Sequence, residues 1–281
     1  NTPVEKMKQE MKAKNVVYKL KDDAIIYADE QIGGAQSGGI IKFKGVVIDL
    51  LKKNMLISAK EAEVNTATSD ITLKNNVIGR TKDNKWNIFT ENVDYKKEGD
   101  LIIANTRTKV VNNEDKTELE ADRVETTVSF QEISGIGNVV YKKETRELKA
   151  DKIKYNDIEK RAEAEGNVKY KDEKSNIAAD KGVYLIEKKQ VNATGNVDYR
   201  NKDLNVKANH VFYDELKQIA NADGNGRFTY FPRNSTGTFQ SGVYDLVGEV
   251  LTTNKYYTMN YDDYKMKGTG LVYQFKTGDA T

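Results

Sequence analysis

The chain has 281 residues, with 38% apolar and 31% charged residues, no cysteine, and 45 Lys and Arg against 43 Asp and Glu for a formal charge of +2. The absence of cysteine excludes disulfide frameworks, thiol catalysis and cysteine-ligated zinc, and a mean hydropathy of −0.72 argues against a thick spherical core in a chain this long. The small net charge argues against a nucleic-acid or anionic-membrane binder, which ordinarily shows a cation excess or a clustered basic face. Sixteen Tyr and eight Phe against two prolines argue equally against a disordered tail.

Thr2-Pro3-Val4-Glu5 reads as a helix start, with Thr2 as N-cap, Pro3 at the first helical position and Glu5 closing a capping box. Val4, Met7 and Met11 mark one apolar stripe, so residues 1–14 are expected to form a short helix or linker. No run of about 18 apolar residues follows. Because the first residue is Asn1, either a cleaved signal peptide or an anchoring helix is expected upstream.

From residue 15 onward the chain reads as strands. Asn15-Val16-Val17-Tyr18 through Ala28-Asp29, and Ser58-Ala59 through Val64, are loose copies of a unit that becomes exact further on. Between them, Gly34-Ala35-Gln36-Ser37-Gly38-Gly39 has phosphate-loop spacing, but Ile40-Ile41 stand where Lys-Ser/Thr is required, so it reads as a flexible loop. Trp86 sits in strand-like Lys85-Trp86-Asn87-Ile88-Phe89 and is expected in the core. From about Ala104 to Phe228 the register is strict: Gly137-Asn138, Gly166-Asn167, Gly195-Asn196 and Gly224-Asn225 recur every 29 residues. Ala121-Asp122, Ala150-Asp151, Ala179-Asp180 and Ala208-Asn209 keep the same step. After Pro232 the spacing loosens. The Tyr-rich segment Tyr256 to Tyr264 reads either as a late strand or as a sugar-stacking platform.

Inside one unit the period is two. Ala162, Ala164, Val168 and Tyr170 alternate with Glu163, Glu165, Asn167 and Lys169, one face buried and one wet. Leu148 and Ala150 share one parity and Ile153 and Tyr155 the other, which predicts a bulge or corner near Asp151-Lys152. The positions expected to face inward are Val139, Tyr141, Leu148, Ala150, Ile153, Tyr155, Ala164, Val168, Tyr170, Ile177, Ala179, Tyr184, Val197, Tyr199, Val206, Ala208, Val211 and Tyr213.

Each unit is therefore two strands of about ten residues. In a parallel solenoid Asp122, Asp151 and Asp180 would stack as like charges at about 4.8 Å, whereas an antiparallel meander doubles that spacing. The meander is preferred: an all-β, elongated antiparallel roll of about eighteen strands, curled because a flat sheet of that width is unfavourable.

The pattern Leu148-Lys149-Ala150-Asp151-Lys152-Ile153-Lys154-Tyr155, followed by Ala162-Glu163-Ala164-Glu165-Gly166-Asn167-Val168-Lys169-Tyr170, resembles the OstA-like lipopolysaccharide-transport family, that of LptA, LptC and the LptD N-terminal domain. The resemblance implies a β-jellyroll over 15–281, either one extended roll or two fused rolls with a boundary near 98–118. It also implies a periplasmic location, an interior trough taking lipopolysaccharide acyl chains at the inward positions above, and end-to-end partnership with other OstA-like jellyrolls. Head-to-tail self-association through Val16–Ile26 and Leu271–Phe275 is expected by strand addition at open edges; nucleic acid is not an expected partner.

Enzyme signals are thin, so no catalytic, metal or cofactor role is expected. His210 is the single histidine and stands where Lys152 and Lys181 stand in other copies, the place of a surface strand residue. Gly135-Ile136-Gly137 has Val140 where a dinucleotide loop needs its third glycine. The alternative to a lipid-carrying bridge is a structural or polysaccharide-binding β-solenoid, which strand direction separates from it: parallel coils for the solenoid, antiparallel hairpins for the bridge.

Overall fold

Thr2 begins the structure as its sequence dictates. In the computed structural model, which describes residues 1–34, 39–261 and 263–281, Thr2 N donates to Glu5 Oε2 and Glu5 N to Thr2 Oγ1, both at 3.1 Å. The central part of the loop Gly34 to Gly39, residues 35–38, lies outside the described residues. The contacts divide the chain into two units, Asn1–Glu144 and Thr145–Thr281; the stretch 98–118 lies within the first.

The first unit holds α1 (Pro3–Lys12), β1 (Val16–Leu20), β2 (Ala24–Ile32), β3 (Ile40–Leu50), β4 (Met55–Asn65), β5 (Ile71–Arg80), β6 (Trp86–Lys96), β7 (Leu101–Ala104), β8 (Thr108–Asn112), β9 (Thr117–Ala121), β10 (Arg123–Thr127) and β11 (Glu132–Lys143). The second holds β12 (Arg146–Asn156), β13 (Arg161–Lys171), β14 (Asn176–Leu185), β15 (Gln190–Arg200), β16 (Leu204–Asp214), β17 (Ile219–Tyr230), β18 (Ser235–Asp245), β19 (Val250–Tyr261), β20 (Tyr264–Gln274) and β21 (Asp279–Ala280). Within each unit the pairings among the described residues are antiparallel, so the backbone is a meander and not a parallel solenoid. Among the described residues the total is 21 strands. β6 pairs with both β7 and β8, and β11 with both β9 and β10, so each short pair is one long strand interrupted. Counting those pairs as single strands and setting aside two-residue β21 returns the expected eighteen.

Each long strand of the second unit bends once. The β12–β13 register skips between Lys149 and Lys152, and the β13–β14 register between Glu165 and Val168. At that bend Gly166 and Asn167 both take positive φ, 80° and 49°, while Asp151 Oδ2 accepts from Asn167 Nδ2 at 3.0 Å. A Cβ on Gly166 would stand 2.5 Å from Asp151 Oδ2, so glycine is required by space and conformation together. The same corner recurs with Asp180 and Asn196 at 3.0 Å and, in the first unit, with Asp122 and Asn138 at 2.8 Å. The 29-residue recurrence of Ala-Asp and Gly-Asn is thus the writing of one bent-strand corner, with the strand turning where both motifs meet.

The bend divides each strand into two arms. In β12, arm one is 146–150 and arm two is 152–156. The arms face each other across the interior: the rings of Tyr170 (arm one) and Tyr184 (arm two) lie 5.5 Å apart, and those of Tyr199 and Tyr213 6.0 Å apart. Asx turns join the strands at the arm ends, for example Asn156 Oδ1 accepting from Ile158 N and Glu159 N. The first unit is rolled the same way, with Lys53 Nζ 2.6 Å from Asp100 Oδ2 and Lys97 Nζ 3.0 Å from Asp23 Oδ1 across its arm ends. Outside that roll, Val4 and Met7 of α1 pack on Val47 and Leu56, two apolar residues that break the outward polar parity of β3 and β4.

Candidate functional site: the interior of the second unit and its seam

All eighteen inward positions expected from the sequence are buried. Val139 and Tyr141 lie on β11 of the first unit; the others line the second. They form cross-strand rows in which bulk alternates. Tyr155 faces Ala162, which faces Tyr184; Tyr213 faces Ala220, which faces Tyr244. Likewise Ile153 meets Ala164, Val168 meets Ala179 and Val197 meets Ala208. The space beside each alanine is taken by its neighbour's larger side chain, the interdigitation that dense packing requires. The cavity bordered by Tyr199, Val206, Val211, Ala222, Phe239 and Tyr244 accordingly measures about 10 Å³, room for one water at most. In this state the interior is a filled core.

The tyrosine hydroxyls converge on the line where the arm ends meet. Ser175 Oγ lies 3.0 Å from Tyr199 Oη, and Asp172 Oδ1 accepts from Lys174 N at 2.9 Å and Ser175 N at 2.7 Å. Burial pushes the Tyr170, Tyr199 and Tyr213 hydroxyls up from their ordinary range, so they stay neutral donors. Across the same line Arg146 grips Glu215 with a fork, Nε to Oε2 at 2.7 Å and Nη2 to Oε1 at 2.6 Å, and Lys174 Nζ donates to Gln218 Oε1 at 2.7 Å. Arg146 opens arm one of β12, while Glu215 and Gln218 lie in the turn after arm two of β16. The roll is therefore closed along a polar seam, and unfastening that seam exposes the apolar rows.

Sequence periodicity did not show these seam residues. Arg146 has a signal nonetheless: it occupies the register position of Thr117, Ser175 and Leu204, all buried, and an arginine there demands a counterion. Glu215 stands where the preceding copies have Asp157 and Ile186. Among the excluded sites, His210 lies on the outer surface with its ring 2.7 Å from Asn192 Oδ1, and Trp86 is core, stacked on Phe130 at 5.5 Å. Tyr257 is buried while Tyr256 and Tyr264 are exposed, as a strand straddling core and water requires. Among the described residues no three His, Cys, Asp or Glu side chains gather as a metal site.

Residues 147–255, which contain the corners, the tyrosine rows and the seam partner Glu215, match the family described as LptA/(LptD N-terminal domain) LPS transport protein. A comparison with curated proteins gives no match. Among solved structures, the chain is similar to LptH, the LptA homologous periplasmic component of the lipopolysaccharide transport device from Pseudomonas aeruginosa. The identity is 15% and the TM-score 0.37, with 41% of this chain and 84% of that chain covered. The likeness to the LptA/(LptD N-terminal domain) lipopolysaccharide-transport family thus rests on residues 147–255, a part of the chain.

Proposed function

We propose that this chain is a periplasmic lipid carrier that holds lipopolysaccharide acyl chains against its inward rows and passes them along a bridge from the inner to the outer membrane. The observation that supports the reading is an interior of mostly apolar and tyrosine side chains closed by a polar seam, largely within the segment that matches the family. With the interior filled, lipid enters by parting the seam at Arg146–Glu215 and displacing the Tyr170, Tyr184, Tyr199 and Tyr213 rings from their alanine and valine neighbours. The rings turn outward and carry their buried hydroxyls to water, while the acyl chains take over the Val168, Ile177, Val197 and Val206 positions.

Partners join end to end in this reading. Among the described residues β1 pairs with β2 alone, and β20 pairs with β19 along its length but with β21 only at Tyr273 and Gln274. Both edges offer backbone groups to another jellyroll or a second copy. The test is photocrosslinking in cells from residues 170 and 199: lipopolysaccharide adducts support the trough, and a folded protein that yields none at either position overturns it.

A further inference from the structure

The outer faces of the two arms of the second unit carry different charge patterns. On arm two, charges of opposite sign face each other across strands: Lys152 with Glu165, Lys154 with Glu163, and Glu165 with Lys181, the last pair 3.7 Å apart. On arm one Glu147 faces Lys171 and Asp198 faces Lys207, but Lys149 also faces Lys169 and Lys207 also faces Arg227, like charges directly opposite, an arrangement that costs stability in a sheet. Lys171 and Arg200 extend the patch, flanking Asn176 in register. All six cations are exposed. The two acids of this face, Glu147 and Asp198, are only partly exposed, with Glu147 3.3 Å from Lys149 and Asp198 bonded to Asn205. A near-neutral chain thus concentrates cations on one face across β12 to β17, about 24 Å at the usual ~4.8 Å strand spacing.

The turns that follow arm two add a second feature. Ile158, Leu216 and Val247 sit at turn tips with 71%, 65% and 61% of their surface exposed. Leu216 belongs to the turn whose Gln218 is bonded to Lys174 of the β13–β14 turn, which places it beside arm one at the seam. Mutually repelling cations over a broad sheet, edged by protruding aliphatic tips, match the interface of a charged bilayer: dispersed anionic headgroups relieve the like-charge pairs, and the tips reach the acyl boundary.

We infer that the arm-one face of the second unit docks on the surface of an anionic phospholipid bilayer. This is a contact separate from the interior, and it stands or falls independently of lipopolysaccharide carriage. The test is co-sedimentation of the full chain with vesicles of phosphatidylcholine alone and of phosphatidylcholine with phosphatidylglycerol. Binding to the second vesicle only, weakening as salt rises, is expected. The triple variant Lys169→Gln/Lys171→Gln/Arg200→Gln should bind about a hundredfold more weakly, at about fivefold per cation, with the circular dichroism spectrum of the parent. The control Lys152→Gln/Lys154→Gln/Lys181→Gln on arm two should keep the parent's binding. No binding to anionic vesicles, equal binding to both vesicles, or equal loss in the two triple variants overturns the inference; so does capture of an acidic polypeptide by a chain that ignores the vesicles.

Discussion

Replacing Glu215 by Gln tests whether the seam holds the second roll closed. The Arg146 side chain is 9% exposed and that of Glu215 22%, so this carboxylate compensates the charge of a largely buried guanidinium. Removing one member of such a buried pair costs about 3–5 kcal/mol, because the remaining charge stays desolvated; the partial exposure of Glu215 places the expected loss near the lower bound, about 3 kcal/mol. In a unit of this size each kcal/mol lowers the melting temperature by roughly 3 °C, giving a shift of about 10 °C. Replacing both members, Arg146→Met with Glu215→Met, should recover most of the loss, since an apolar pair of similar volume needs no counterion. The single tryptophan, Trp86, belongs to the first unit. Near-ultraviolet circular dichroism of the tyrosines should follow the loss in Glu215→Gln and its recovery in the double variant, while tryptophan fluorescence shows whether the first unit melts with them. A Glu215→Gln protein whose tyrosine transition stays within about 1 °C of the parent, well under the shift expected for even one kcal/mol, would show that the seam contributes nothing to closure.

Three further outcomes follow from the corners and the interior. Gly166→Ala, forced into φ 80° beside Asp151, should cost about 1–3 kcal/mol in denaturant titrations, and a neutral result would remove the steric account of the Gly-Asn corner. Gly226→Val restores the residue that three earlier copies carry after Gly-Asn, yet its Cβ would overlap the Phe239 ring. It should destabilise by about 1–3 kcal/mol and be rescued in part by Phe239→Ala. Burial raises the Tyr170, Tyr199, Tyr213 and Tyr244 hydroxyls above their unfolded value. The stability from keeping them neutral is complete below about pH 10 and is lost as pH rises toward the folded values, by about 1.4 kcal/mol per pH unit for each ring. Tyrosinate absorbance should hence appear together with cooperative unfolding, and smooth titration of a folded protein near pH 10 would contradict the burial.

How much of this was legible in the sequence depends on whether a contact repeats. The corner repeats, so Asp151 and Gly166 announced it by spacing, although only the structure shows that the aspartate lies against the glycine fifteen residues on. The inward rows repeat, so all the trough positions were readable as buried. What was not readable is why they are small: Ala164 and Ala179 leave space that the facing Ile153 and Val168 fill, a fact of register and not of composition. The seam does not repeat at all. Arg146 and Glu215 are 69 residues apart and meet because two arms fold toward each other; no local pattern encodes that distance. Val47 and Leu56 break parity on the outer face for a similar reason, since their partner is α1.

Charge shows the same limit most sharply. The totals of 45 and 43 describe a chain with no field, and along any one strand Lys and Glu alternate in a way that looks like an ordinary solvated face. Neutrality along the chain does not imply neutrality across it, because antiparallel pairing brings Lys149 beside Lys169 on one arm while pairing Lys152 with Glu165 two residues past the bend. The corner decides this: it resets the register by skipping Ala150-Asp151 against Gly166-Asn167-Val168, so that two strands whose charges are complementary on arm two bring two lysines face to face on arm one beside the complementary Glu147 and Lys171. The device that lets each strand wrap the interior is also the device that separates its charge, and a chain that bends its strands this way acquires a basic face without any change in composition.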